Sequence, residues 1–186
     1  MRTRETTLPG VIVIEPVVHG DDRGWFQETY RQDELASLGI TDVFVQDNQS
    51  RSARGVLRGM HLQVGPNPQA KLVRCARGAI LDVVVDLRRG SPTFGRWESW
   101  QLDDETGRQL YCPVGFAHGF VVLSEVADVV YRCSAYYDPG NEMSIRFDDP
   151  AIGIDWPGGP HHVSDRDRGA PLLDEVAQRI PFTWKP

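Results

Sequence analysis

What this chain lacks narrows its class before any motif is read. It has three cysteines, Cys75, Cys112 and Cys133, in 186 residues. An odd number at no metal-like spacing argues against a disulfide framework and reads as free thiols in a reducing compartment. No apolar run approaches the length that spans a bilayer. The stretch Met1-Arg2-Thr3-Arg4-Glu5 is polar, with no apolar signal core behind it. The expectation is a soluble cytoplasmic protein with no membrane partner. Positive charge is also short: Lys plus Arg is 20 against 26 for Asp plus Glu, a formal net charge of −6. That is the wrong sign for a nucleic-acid partner, whose footprint is a basic face. It still leaves room for a small anionic ligand, because a few arginines can gather locally. There is no internal repeat, low-complexity tract or linker, so one domain over residues 1–186 is expected.

Helical periodicity is scarce too, and what fills the chain is strand chemistry. Val11 to Val18 alternates around β-branched residues, with Pro16 marking an edge or an end. Trp25 to Tyr30 reads as a strand with Phe26 and Glu28 on one face. Arg31 to Leu38 is the first plausible helix, stopped at Gly39. Phe44 to Arg51 is a polar strand with Gln46, Asn48 and Ser50 pointing one way. Such a face is either surface or the lining of a wet cavity, and the residues alone favour the surface. Gly55 to Gln63, Lys71 to Arg77, Ala79 to Leu87, Trp97 to Leu102, Gln109 to Cys112 and a run ending at Leu123 are further strands. Asp128 to Ala135 sets Val129, Tyr131 and Cys133 on one face. A short helix is expected near Ala170 to Gln178, packed outside the sheets. Roughly ten short strands divided by Gly and Pro turns indicate an all-β sandwich or barrel, and jelly rolls of this kind enclose ligands.

The stretch Gly55-Val56-Leu57-Arg58-Gly59-Met60-His61-Leu62-Gln63 carries a histidine and an arginine. Gln69-Ala70-Lys71-Leu72-Val73-Arg74 brings a lysine on what reads as a neighbouring strand. An imidazole suits proton abstraction beside a carbonyl near neutral pH, and an ammonium suits the negative charge that then appears on oxygen. Such a base needs an orienting carboxylate. Asp167, in Ser164-Asp165-Arg166-Asp167-Arg168, and Asp82, inside the apolar run Ile80 to Asp86, are both candidates. Asp82 either has a buried partner or faces water on a half-exposed strand. Tyr131 either packs in the core or donates a proton from the side opposite His61. Arg23, Arg58 and Arg166 are candidates for binding phosphate. Tyr136-Tyr137 offers a ring for stacking a base.

Pro113-x-Gly115-x-x-His118 looks like the second cupin motif, where many cupins bind metal. The place of the first motif reads His61-Leu62-Gln63, without a second histidine or a following carboxylate. Lys71, a cation, is the next charged side chain. His61 and His118 alone make a poor metal site, so no metal is expected.

Taken together, several stretches resemble one family. They are Asp22-Arg23-Gly24-Trp25-Phe26, Gln46-Asp47-Asn48-Gln49-Ser50, the His61 and Lys71 stretches, Ser91-Pro92-Thr93-Phe94-Gly95, Pro113 to Phe120 and Ile152-Gly153-Ile154-Asp155-Trp156-Pro157. The chain resembles the dTDP-4-dehydrorhamnose 3,5-epimerases and their relatives in deoxysugar biosynthesis from about Gly10 to Leu173. The resemblance implies a cupin-like jelly-roll barrel with short flanking helices, working without metal or cofactor. It also implies a homodimer with an exchanged N-terminal strand. The substrate it implies is thymidine diphosphate linked to a 4-keto-6-deoxyhexose, inverted at carbon 3, carbon 5 or both. It puts the base on His61, its carboxylate on Asp167, the proton donor on Tyr131 and the cation on Lys71. Arg23, Phe26, Glu28, Gln46, Asp47, Asn48, Arg58, His118, Glu142 and Arg166 fall at substrate-binding positions, and Tyr137 at the ring that stacks on thymine. Arg166 stands where the family often has lysine, and Leu62 where it often has tyrosine. Those departures leave open a single-carbon epimerase or a keto-isomerase. A metal-dependent cupin oxygenase and a non-catalytic sugar-nucleotide binder are the competing readings.

Overall fold

The structure is a computed structural model that describes residues 1–185. In chain order its strands begin with β1 (Arg2–Arg4), β2 (Ile12–Glu15), β3 (Val18–Asp21) and β4 (Gly24–Gln27), followed by helix α1 (Gln32–Ser37). Then come β5 (Gln46–Ala53), β6 (Val56–Gln63), β7 (Lys71–Arg77), β8 (Ala79–Asp86), β9 (Trp97–Asp103), β10 (Gln109–Cys112), β11 (Phe116–Val122) and β12 (Val126–Cys133). The chain closes with β13 (Glu142–Ser144), β14 (His162–Val163), α2 (Asp165–Arg168) and α3 (Leu173–Val176).

The strands form two stacked sheets, ordered β1-β2-β10-β7-β12-β5 and β13-β6-β11-β8-β9, with β14 added alongside β6. Period-two alternation then sorts the side chains. Inward residues of both sheets, among them Val13, Val73, Ile80, Val84, Leu110, Phe116, Phe120 and Val129, make the core between them. The outer face of the second sheet presents Met60, Leu62, Val83 and Val85, covered by Ile145, Leu173, Val176 and Ile180 from the C-terminal segments. The outer face of the first sheet packs Ile14, Leu72 and Tyr111 under Leu35 and Ile40, from and just after α1. The acidic Asp33 and Glu34 sit in the first turn of that helix, where the macrodipole favours them.

Three expectations need correction. Pro16, which has no N–H to donate, ends β2 at Glu15. Val18 instead begins a separate hairpin of β3 and β4, and the second strand stops at Gln27 rather than Tyr30. The strands bearing His61 and Lys71 are not neighbours. β6 and β7 follow one another in sequence but lie in opposite sheets, because residues 64–70 cross between them. The C-terminal helix is four residues long, Leu173–Val176, and tightens into a 3-10 turn over Ala177–Arg179.

One irregularity shapes everything that follows. Between β6 and β11, His61 pairs with His118 and Arg58 with Phe120. Two residues, Gly59 and Met60, therefore oppose the single Gly119, which is a β-bulge. Arg58 and His61 are three apart and would face opposite ways on a regular strand. The extra residue turns both to the inside. Gly59 has φ +136, and a Cβ there would stand 2.6 Å from Gly119 Cα. No side chain fits between the two backbones.

Candidate active site

The space between the sheets is open at one end. A cavity of about 430 Å³ is lined by Arg58, His61, Lys71, His118, Tyr131, Arg166 and Asp167, together with Ser50, His162 and Ser164. A second, of about 320 Å³, is lined by Gln46, Asn48, Tyr137 and Glu142, together with Gln63, Gln69 and Cys133. His61, Lys71 and Tyr131 line both. These three side chains are the floor shared by two adjoining chambers. His61 comes from one sheet; Lys71 and Tyr131 come from the other, facing it.

His61 Nε2 lies 2.6 Å from Asp167 Oδ1. The ring's second nitrogen is therefore the one presented to the cavity. The other Asp167 oxygen accepts the Gly59 N–H at 3.3 Å. Burial works to raise the Asp167 carboxyl, but the bond and charge of His61, then the Gly59 N–H, outweigh it and hold it below its ordinary value. Asp167 is thus a settled carboxylate that orients the ring. Across the floor, burial pushes the Tyr131 phenol above its ordinary value, so it keeps its proton at neutral pH. Its hydroxyl has no protein hydrogen-bond partner among the described residues. The Lys71 ammonium reaches the His61 carbonyl at 3.5 Å and meets no carboxylate among the described residues. It is a half-buried cation free to meet charge that forms on a ligand.

Asp82 is the other carboxylate that the sequence offered, and it belongs to a different histidine. It is fully buried, and both its oxygens approach His118 Nε2, at 2.9 and 3.1 Å. At the mouth, Glu142 accepts from the Tyr137 hydroxyl and from Arg166 Nη2, each at 2.6 Å. Burial raises the Glu142 carboxyl, and these two bonds bring it below its ordinary value. The same carboxylate raises the Tyr137 phenol. The tyrosine ring is thereby pinned at the edge of the smaller chamber.

The polar face of β5 lines this space rather than the surface: Gln46, Asn48 and Ser50 all reach the chambers. Among the described residues, no group of three or more His, Cys, Asp and Glu side chains is disposed to hold a metal ion. Each histidine of the floor already commits one nitrogen to a carboxylate.

The sequence model of one family, described as dTDP-4-dehydrorhamnose 3,5-epimerase, matches residues 5–175. The chain belongs to that family. It is 51% identical over 174 residues to the dTDP-4-dehydrorhamnose 3,5-epimerase of Salmonella typhimurium, covering 92% of this chain and 95% of that one. The crystal structure of the dTDP-6-deoxy-D-glucose-3,5-epimerase of Legionella pneumophila in complex with dTDP-4-keto-L-rhamnose superposes with a TM-score of 0.95 at 44% identity. It covers 100% of this chain and 99% of that one. ChmJ, a 3'-monoepimerase from Streptomyces bikiniensis in complex with dTDP-quinovose, gives a TM-score of 0.87 at 40% identity, over 94% of this chain and 89% of that one. The fold is the family's cupin-like jelly roll, and the chain is an enzyme of the epimerase type.

Four family binding positions are not brought to the chambers. Asp47 alternates away from Gln46 and Asn48 and faces out, near Arg132 at 3.4 Å. Arg23 lies on the β3–β4 hairpin, its side chain 89% exposed and bonded to Asp21. Phe26, on the same hairpin, is 68% exposed. Glu28 follows the hairpin and faces Arg31. In the other direction, the chambers contain residues that the sequence reading passed over. Ser50 and Cys133 could have been found from the parity they share with Asn48 and Tyr131. His162 and Ser164 sit in an irregular segment with no period to signal them.

Proposed function

We propose that this chain inverts carbon 3, carbon 5 or both in a 4-keto-6-deoxyhexose carried on thymidine diphosphate. The observation that carries this reading is the shared floor. An imidazole held by a carboxylate faces a protonated phenol, with an unpaired ammonium beside them. The ketone acidifies the hydrogens on both neighbouring carbons. His61 takes one. The C–H electron pair becomes a C=C bond, and the carbonyl pair moves onto oxygen, where Lys71 stabilises it. A preorganised donor of this kind is worth on the order of a hundred- to a thousandfold in rate. Tyr131 then delivers its proton to the opposite face, and the carbonyl re-forms with the centre inverted. The imidazolium and phenolate return to their starting states by exchange with solvent. The sum is an isomerisation, with no electron or group left over.

The remaining residues suit the nucleotide. Arg58 and Arg166 offer guanidinium forks for the diphosphate. Tyr137 offers a fixed ring for the base, and Gln46, Asn48 and Glu142 offer polar partners around it. Arg23, Phe26 and Glu28 act, in this reading, from a second copy of the chain. The exposed hairpin with Trp25 and Phe26 would dock over the partner's cavity mouth in a cytoplasmic homodimer. The likeness to a 3'-monoepimerase favours a second version, inversion at carbon 3 alone.

The test is incubation with dTDP-4-keto-6-deoxyglucose in heavy water, counting which carbons acquire deuterium. Uptake at both carbons is expected of a 3,5-epimerase. Uptake at carbon 3 alone supports the narrower version, and uptake at neither overturns the reading. His61→Ala should abolish uptake; full exchange by that variant removes His61 from the role of base.

A further inference from the structure

The cavity contains two histidine–carboxylate pairs, and they are not equivalent. His61 and His118 are cross-strand partners, so their rings stand side by side on one wall. Each commits Nε2 to a carboxylate, and each therefore has Nδ1 left for the cavity. By connectivity alone either ring could act as the base. The carboxylates differ. Asp167 shares its charge between His61 and the Gly59 N–H. Asp82 is 0% exposed and has no donor but His118 among the described residues.

A carboxylate taken wholly out of water is tolerated only when its charge is met. Here the ring of His118 alone can meet it, and it does so by holding a proton on both nitrogens. A doubly protonated imidazole is a donor at each nitrogen and an acceptor at neither. The nearby Cys112 thiol cannot share the task, because burial pushes it up to about 12. Two rings in one wall then divide the work by environment, one left free to take a proton and the other kept as a donor.

We propose that Asp82 is a positioning residue that keeps His118 as a double hydrogen-bond donor, so that its Nδ1–H joins Lys71 at the ketone oxygen. This rests on the epimerase reading above. It makes the oxyanion site two-sided, with an ammonium from the first sheet and an imidazolium from the second. It also explains a charged residue in the middle of the most apolar strand of the chain.

Nitrogen-15 NMR of the full chain at the pH of the activity assay should show both His118 ring nitrogens protonated, assigned by their loss in His118→Gln. An unprotonated nitrogen on that ring overturns the proposal. Deuterium uptake from heavy water into dTDP-4-keto-6-deoxyglucose should fall about a hundredfold in Asp82→Asn, with dTDP affinity held within about twofold. In the His118→Gln background, Asp82→Asn should slow uptake no further, since Asp82 acts only through that ring. A wild-type rate in the single variant, or a further large loss in the double, overturns the proposal. If Asp82→Asn does not fold, the NMR result on the unaltered chain decides. A wild-type chain that takes up no deuterium overturns the underlying reading instead, and is seen before any variant is compared.

Discussion

Gly119→Ala is a one-methyl test of how the site is built. A Cβ at Gly119 would stand 2.7 Å from Met60 Sδ, 2.8 Å from Arg58 O and 3.1 Å from Gly59 Cα. Two of those atoms are backbone, and the third belongs to a side chain with no exposed surface. Comfortable separation for such atoms is roughly 3.5 Å, so β6 and β11 must part by about half an ångström. Overpacking of this kind costs about 1–3 kcal/mol. At this chain length, 2 kcal/mol corresponds to a loss of about 4–8 °C in Tm. The strain falls where His118 pairs with His61, so both rings move relative to Lys71 and Tyr131. A displacement near 1 Å costs about a hundredfold in rate, and about tenfold is expected for half of it. The assays are calorimetry and the initial rate of deuterium uptake at saturating substrate. An alanine variant with unchanged Tm and full rate would refute the claim that this close approach sets the spacing of the two rings.

Other perturbations separate the roles further. Tyr131→Phe should impair inversion more than exchange, because the phenol serves the return proton; equal losses in NMR-monitored turnover would count against it. Arg166→Ala should weaken dTDP binding by about tenfold, the size of one charge-assisted hydrogen bond, as read by titration calorimetry. Uptake at saturating substrate should change by less than about threefold. Asp86 is fully buried and bonded to Arg88, Ser91 and Thr93. Burial raises its carboxyl, but those bonds outweigh burial and hold it below its ordinary value. A depressed carboxyl contributes stability that is present above its ordinary value, near 4, and lost as pH falls through the folded one. Asp86→Asn should therefore cost on the order of 3 kcal/mol at neutral pH and flatten the acid limb of the Tm–pH curve. Parallel curves for the two proteins would contradict this.

Much of the architecture was legible because it follows from local rules. Alternation of apolar and polar residues marks the strands, and Gly and Pro mark where they stop. The apolar run Ile80 to Asp86 reads as a central strand and is one. Polar parity along Gln46, Asn48 and Ser50 was visible too, but alternation cannot say which face is inside. The packing of a second sheet against them decided that they line a cavity.

The residue types of the catalytic set were written in the chain: an imidazole, an ammonium, a phenol and two spare carboxylates. Their meeting was not. Strict alternation would have sent Arg58 and His61 to opposite faces, and only the bulge at Gly59 and Met60 against Gly119 turns both inward. Asp167 and Asp82 were interchangeable partners for His61 until strand pairing put Asp82 opposite Phe120, within reach of His118. His61 and Lys71 read as neighbours, yet they face one another across a gap. Sequence fixes what each strand can offer to either side. Which side is the interior, and which residues share it, depends on register between strands distant in the chain, and register exists only once they have folded against one another.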